Sequence, residues 1–115
     1  GAYPEYHTSL DDLSFISPNG LEGAYSILQN CLNALEANYT YRVTTPCEPQ
    51  FGKRGLYPTI SMKNGAEHLV NMRNLIAYAD GDSDLLRIAE IIGVDIMTCA
   101  ILAGKLESHG LLQRV

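Results

Sequence analysis

The residues in this chain with the types and spacing to do chemistry lie near its start, in YPEYHTSLDD, residues 3–12. A histidine stands between a tyrosine and a Thr-Ser pair, with two aspartates after it. Two readings of His7 follow from the residues alone. It is one arm of a metal site whose other arms lie outside this sequence, or it is a hydrogen-bonded structural residue. In the second reading Thr8, Ser9, Asp11 and Asp12 are turn and N-cap residues. The spacing repeats no self-contained metal motif: H-E-x-x-H is absent, and His68 and His109 fall in separate helical segments as surface imidazoles.

A second stretch, PCEPQFGKRG at 46–55, sets Lys53 and Arg54 between two glycines. Two cations on a tightly turning backbone suit a substrate loop, with Arg54 pairing with a carboxylate or another anionic group. They equally suit an ordered crossover loop with solvated charges. The spacing is not the G-x-x-x-x-G-K-[ST] of a phosphate loop.

The bulk composition narrows the class. Of 115 residues, 46% are apolar and 18% charged, and the net charge is −5. From Asp80 onward Arg87, Lys105 and Arg114 face six acidic residues, a poor balance for a protein that grips a phosphate backbone. No apolar run reaches the ~20 residues of a membrane span. Cys31, Cys47 and Cys99 form neither a disulfide framework nor a zinc-finger spacing, which favours a reducing, cytoplasmic setting. All three are expected to pack as half-buried, small apolar groups. The chain opens with Gly rather than Met, and the expectation is that it was cut from a longer one.

The elements that must position these residues read as α+β. Residues 1–16 have no period and form a loop. SPNGLEGAYSILQNCLNALEAN is a helix capped by Ser17, started by Pro18 and ended by Asn38 in the left-handed conformation. Its apolar stripe runs through Leu21, Ala24, Leu28, Cys31, Leu32 and Leu35. YTYRV is a strand. The Pro- and Gly-rich stretch that follows is an ordered loop, with a short strand at Thr59–Ser61. AEHLVNMRNLIAYA is a helix broken by DGDS. DLLRIAEIIG is a second helix ended by Gly93, and DIMTCAILAGKLESHG a third, capped by Asp95. LLQRV ends the chain as a strand. The domain boundary is expected near 62–66, giving a first domain at 1–62 and a second at 63–115.

IAEIIGVDIMTCAILAGKLESHGLL carries the signature of a helix-turn-helix. Ala89 permits close helix approach, Gly93 supplies the positive φ of the turn, and Val94, Cys99 and Leu102 plug the core. LESHGLLQRV then resembles a recognition helix running into the first strand of a winged helix-turn-helix. A base-reading helix needs Arg, Asn, Gln or Lys facing outward. The outward positions are Met97, Thr98, Ile101, Lys105 and Ser108, so protein docking or dimerisation, or a purely structural cap, is expected in place of DNA binding.

EYHTSLDDL resembles the last metal-ligand segment of the co-catalytic zinc aminopeptidase and carboxypeptidase superfamily. YPEYHTSLDDLSFI, PCEPQFGKRGLYPTIS and YADGDSDLLRIAEIIGV together resemble a bacterial family of aminopeptidase-like proteins. That family is sometimes named for polysaccharide-biosynthesis gene neighbourhoods, and its members end in a winged-helix domain. The resemblance implies that this chain is the C-terminal part of such a protein, with most of an α/β aminopeptidase-like domain upstream. It implies a two-zinc site of two His and three carboxylates, with His7 the final ligand. Asp11 or Asp12 would fix its tautomer from the second shell, and Tyr6 would donate to a developing oxyanion. Glu5 has no role in the match. The chemistry implied is metal-assisted hydrolysis of a peptide-like small substrate. One histidine does not hold a zinc ion, so the chain alone is expected to be inactive and to bind zinc weakly. The implied partners are the upstream domain and a second copy through the winged helix, with no nucleic acid and no membrane. The alternatives are a non-enzymatic interaction module and, less favoured, a DNA-binding regulator.

Overall fold

The computed structural model describes residues 3–57 and 65–115, and the strand expected at Thr59–Ser61 lies outside the described residues. The chain divides into two compact units, Gly1–Asn33 and Ala34–Val115. The division expected at 62/63 is therefore corrected to a point inside the first helix. The reason is the strand YTYRV: it is the middle strand of the second unit's sheet, so it cannot belong to a separate domain.

In the first unit, residues 3–16 run through successive turns closed by Tyr6 N–H to Tyr3 O, Thr8 N–H to Glu5 O and Phe15 N–H to Asp12 O. Helix α1, Pro18–Ala37, follows. Ser17 Oγ accepts from Gly20 N–H at 3.1 Å, and Pro18 occupies the first helical position, where no N–H is needed. The apolar stripe forms as the periodicity requires, yet none of the helix's residues is buried.

The second unit is a winged helix. Strand β1 (Thr40–Val43) is followed by a loop containing one 3-10 turn (Gly52–Arg54), then α2 (Gly65–Tyr78), β2 (Asp80–Asp84), α3 (Leu85–Ile92), α4 (Ile96–Ser108) and β3 (Leu112–Arg114). The sheet order is β2-β1-β3, antiparallel throughout. Tyr41 pairs with Arg114 and Val43 with Leu112, whereas β1 and β2 pair irregularly between Thr40↔Asp84 and Arg42↔Asp80. DGDS was expected only to break a helix, and it forms a strand instead. Its composition disfavours a strand, but the β1 edge captures it. Gly81, at φ 91°, absorbs the irregularity, and the Arg42 side chain lies where a Cβ would stand.

Leu75 from α2, Leu85 and Ile88 from α3, and Cys99, Leu102 and Leu106 from α4 meet in one core, closed by Leu111 and Tyr41. Each fully buried leucine contributes about 1.5–3 kcal/mol relative to exposure. The loop after β1 is tied down by Phe51 and Leu56, both buried, and by Thr44, whose hydroxyl donates to Gly110 O at 2.7 Å. No helix among the described residues is long and apolar enough to cross a membrane.

Candidate functional site

Around His7 the backbone is built by side-chain chemistry. Thr8 Oγ1 donates to Glu5 O at 2.7 Å and accepts from Leu10 N–H at 3.2 Å, which pins the turn. His7 sits at φ 61°, the one positive φ outside glycine among the described residues. Histidine enters this region more readily than most residues, but the conformation is uncommon. His7 is exposed, its ring lies 3.9 Å from that of Tyr6, and no hydrogen bond to its imidazole occurs among the described residues.

The aspartates go elsewhere. Asp11 accepts the Tyr3 hydroxyl at 2.9 and 3.0 Å, which raises the Tyr3 pKa. Asp12 accepts Ser14 N–H at 2.8 Å, and its pKa is lowered by its hydrogen bonds with Ser14. Tyr3 is the hub of the segment, with its ring stacked on Phe15 and edge-on to Tyr6, both at 5.7 Å. The structure thus brings Tyr6 and His7 together, and it gives Asp11 and Asp12 partners other than His7. Tyr3 was the residue that sequence reasoning missed; an aromatic eight positions before a carboxylate carries no periodic signal. Among the described residues no group of three His, Cys, Asp or Glu converges in a way that could hold a metal ion.

In the loop of the second unit, Lys53 is exposed, and Arg54 donates to Gln50 O at 3.4 Å, its own local backbone. The groove beside this loop, about 480 Å³, is lined instead by Val43, Pro46, Cys47, Phe51, Arg73 and Ile76. Glu48 and Arg73 pair across it at 3.4 Å. Cys31 and Cys47 are exposed and Cys99 fully buried, which corrects the expectation of three half-buried thiols. Burial, and then the charge of Asp95, push the Cys99 pKa to about 11, so it serves as a protonated apolar plug.

The helix-turn-helix is fixed by two capping side chains and one glycine. Asp84 caps α3 through Arg87 N–H at 2.8 Å. Asp95 Oδ1 caps α4 through Met97 N–H and Thr98 N–H at 2.9 and 3.1 Å. Gly93, at φ 69°, turns the chain between them. Asn38 was expected in the left-handed conformation as the end of α1, and it is not there: positive φ outside glycine occurs at His7 alone among the described residues. Its side chain is used across the fold. Oδ1 accepts from Leu86 N–H at 2.7 Å, and Nδ2 donates to Asp84 Oδ2 at 3.0 Å. The outward face of α4 presents Met97, Ile101, Gly104, Lys105 and Ser108, all exposed, with Thr98 half-buried. Lys105 is its one cation.

Comparison with known proteins agrees with this division. A winged helix-turn-helix family matches residues 39–114, and a domain of unknown function, DUF4910, matches residues 1–38. A Clostridium acetobutylicum protein named for polysaccharide biosynthesis and an aminopeptidase-like domain is 33% identical over 114 residues, covering 96% of this chain and 26% of its own length. A crystal structure of a protein from the same organism, named as a peptidase, superposes with a TM-score of 0.83 at 30% identity. That match covers 98% of this chain and 24% of the other. The chain spans about a quarter of the length of these relatives.

Proposed function

The chain belongs to the winged helix-turn-helix family over residues 39–114, and from that premise we propose that it is the C-terminal portion of a zinc-dependent aminopeptidase-like hydrolase. In this reading residues 3–16 supply the last metal ligand, and the winged helix serves protein docking. The observation that carries the reading is the similarity to an aminopeptidase-like relative across 96% of this chain, which includes the His7 segment.

The residues fit that role in part. His7 has an exposed imidazole with no internal hydrogen bond among the described residues, held in an uncommon backbone conformation that its turn enforces. Strained backbone of this kind collects at functional sites. His7 would act as one zinc ligand, and Tyr6, whose ring lies beside it, would aim its phenol toward the reacting carbonyl. Zinc in such a site supplies Lewis acidity toward a scissile bond and a water molecule. Asp11 and Asp12 support the turn, through Tyr3 and Ser14, in place of the second-shell role that the resemblance implied. Lys53 and Arg54 remain candidates for holding an anionic end of the substrate.

The docking role rests on charge and surface. All eight Lys and Arg lie at or after Arg42, but residues 80–115 hold three of them against six acids. The exposed residues of α4 are mainly apolar or small. That surface is ill suited to reading base edges, which calls for Arg, Asn or Gln.

The test is metal content in the longer protein. About two zinc ions per chain are expected, as in a two-metal site, with His7→Ala losing one and Tyr6→Phe keeping both while lowering kcat. Unchanged zinc content in His7→Ala would remove the metal-ligand assignment.

A further inference from the structure

The groove between helix α2 and the loop after β1 is a formed cavity that the metal-site reading leaves unused. It measures about 480 Å³, inside the range of about 300–1,000 Å³ in which small ligands bind. Its walls come from well-fixed parts of the fold. Arg73, Ile76 and Ala77 share one side of α2 at i, i+3 and i+4 spacing. Val43 ends β1, and Phe51 is 3% exposed. Pro46 and Pro49 shape the facing wall. Each fixes its own φ, and each restrains the residue before it, Thr45 or Glu48, to extended backbone. Little of this wall has to be ordered by a ligand.

One cation stands in the groove. Arg73 approaches Glu48, Nε to Oε1, at 3.4 Å, longer than the ~2.7–2.9 Å of a charge-assisted hydrogen bond. No hydrogen bond of its guanidinium occurs among the described residues, and an ion pair this exposed holds its partners weakly. Asn74, half-buried in the same wall, has no side-chain hydrogen bond among the described residues either. Lys53 and Arg54 do not line the groove.

We propose that the groove binds a small apolar molecule ending in a carboxylate, such as an N-acylated leucine or the end of a short peptide with an apolar last residue. The carboxylate takes the planar fork of Arg73 and displaces Glu48. The apolar body lies along Val43, Ile76 and Ala77, which are exposed or half-buried and lose contact with water. Asn74 stands in the same wall to meet the amide that both kinds of ligand carry. The sign of the charge follows from the two partners of the ion pair. Arg73 is rooted on a helix and is 46% exposed, whereas Glu48 is on the loop and 73% exposed. The groove keeps its cation while its anion turns out to water, and that selects an anionic ligand. Every residue used here lies in the second unit, so the inference stands or falls apart from the assignment of His7.

Cys47, exposed in the same wall, reports occupancy. Cys99 is buried, with its pKa pushed up to about 11, and Cys31→Ser removes the other exposed thiol, so iodoacetamide then alkylates Cys47 alone. The quantity read is the ratio of alkylation rates with and without a probe at neutral pH. N-acetyl-leucine should slow the reaction with a Kd on the order of 1 mM, and N-acetyl-leucinamide, which lacks the carboxylate, should not. Arg73→Gln should weaken the protection at least about tenfold. Glu48→Gln should strengthen it about two- to fivefold, because a competing carboxylate is gone. Both side chains are substantially exposed, so the circular dichroism spectrum should be retained. Protection by N-acetyl-leucine or by the tripeptide Ala-Ala-Leu supports the site, and the tighter of the two names the source. Equal protection by acid and amide, or protection indifferent to Arg73→Gln, overturns the carboxylate assignment. No protection by any probe overturns the site.

Discussion

Two helices of this chain carry leucines at similar spacing and meet opposite fates. In α1, Leu21, Leu28 and Leu32 are 61%, 65% and 58% exposed, whereas Leu102 and Leu106 in α4 are 3% and 0% exposed. Both place leucines at helical spacing, and α4 is apolar on its outward face as well, at Met97 and Ile101. What differs is the surroundings: α4 is packed by α2, α3 and β3, and the first unit has no buried residue among those described. A stripe at helical spacing states that a helix has an apolar face, and it does not state that the same chain covers it.

The comparison breaks most visibly by truncation. Leu106→Ala should destabilise the chain by about 2–5 kcal/mol, read from urea unfolding, because it leaves a cavity in the one core. Leu28→Ala should cost less than about 0.5 kcal/mol in the same experiment, the ordinary result for an exposed position. A cost of several kcal/mol for Leu28→Ala would mean that α1 is covered within the chain. A smaller effect sharpens the boundary between the units: Asn38→Ala removes the cap on Leu86 N–H and the bond to Asp84, and should cost about 1–2 kcal/mol. Acid gives the smallest effect. Asp84 is held below the ordinary aspartate value by Arg87 N–H and then Asn38, and Asp95 by Thr98 and then Met97 N–H. A lowered folded pKa contributes stability that is complete above the unfolded value, about 3.9, and is lost as pH falls through the folded one. The thermal midpoint should therefore be flat down to about pH 5 and fall below it. Asp95→Asn keeps a capping oxygen without the charge, and should make that fall shallower.

The helix-turn-helix was legible because its signals are local. Asp95 before an apolar run, Gly93 after one, and Ala89 four positions before that glycine are signals within a few residues, and the structure places all three as read. Two elements were not legible for the opposite reason. DGDSD becomes a strand only because β1 presents an edge to it, and β1 belongs to the winged helix only because β3 pairs with its other edge; both facts are tertiary. Asn38 was read as a local terminator, but its amide is used in a capping bond with Leu86, far along the chain. The candidate site was legible through resemblance and not through spacing. His7 has no partner at a motif distance, and its positive φ arises from the Thr8 turn, which sequence suggests only as one alternative.

The central place of β1 in its sheet sets an order of events during synthesis. The strand leaves the ribosome first and must wait, both edges bare, until β2 and then β3 emerge to flank it. The tie from Val115 N–H back to Thr40 O spans the whole second unit. Such a sheet cannot be finished piecemeal, and β1 stays an open pairing template until the residues of β3 have been made. Aspartates at 80, 82 and 84 on the neighbouring strand are well suited to repel the wrong strand when it arrives.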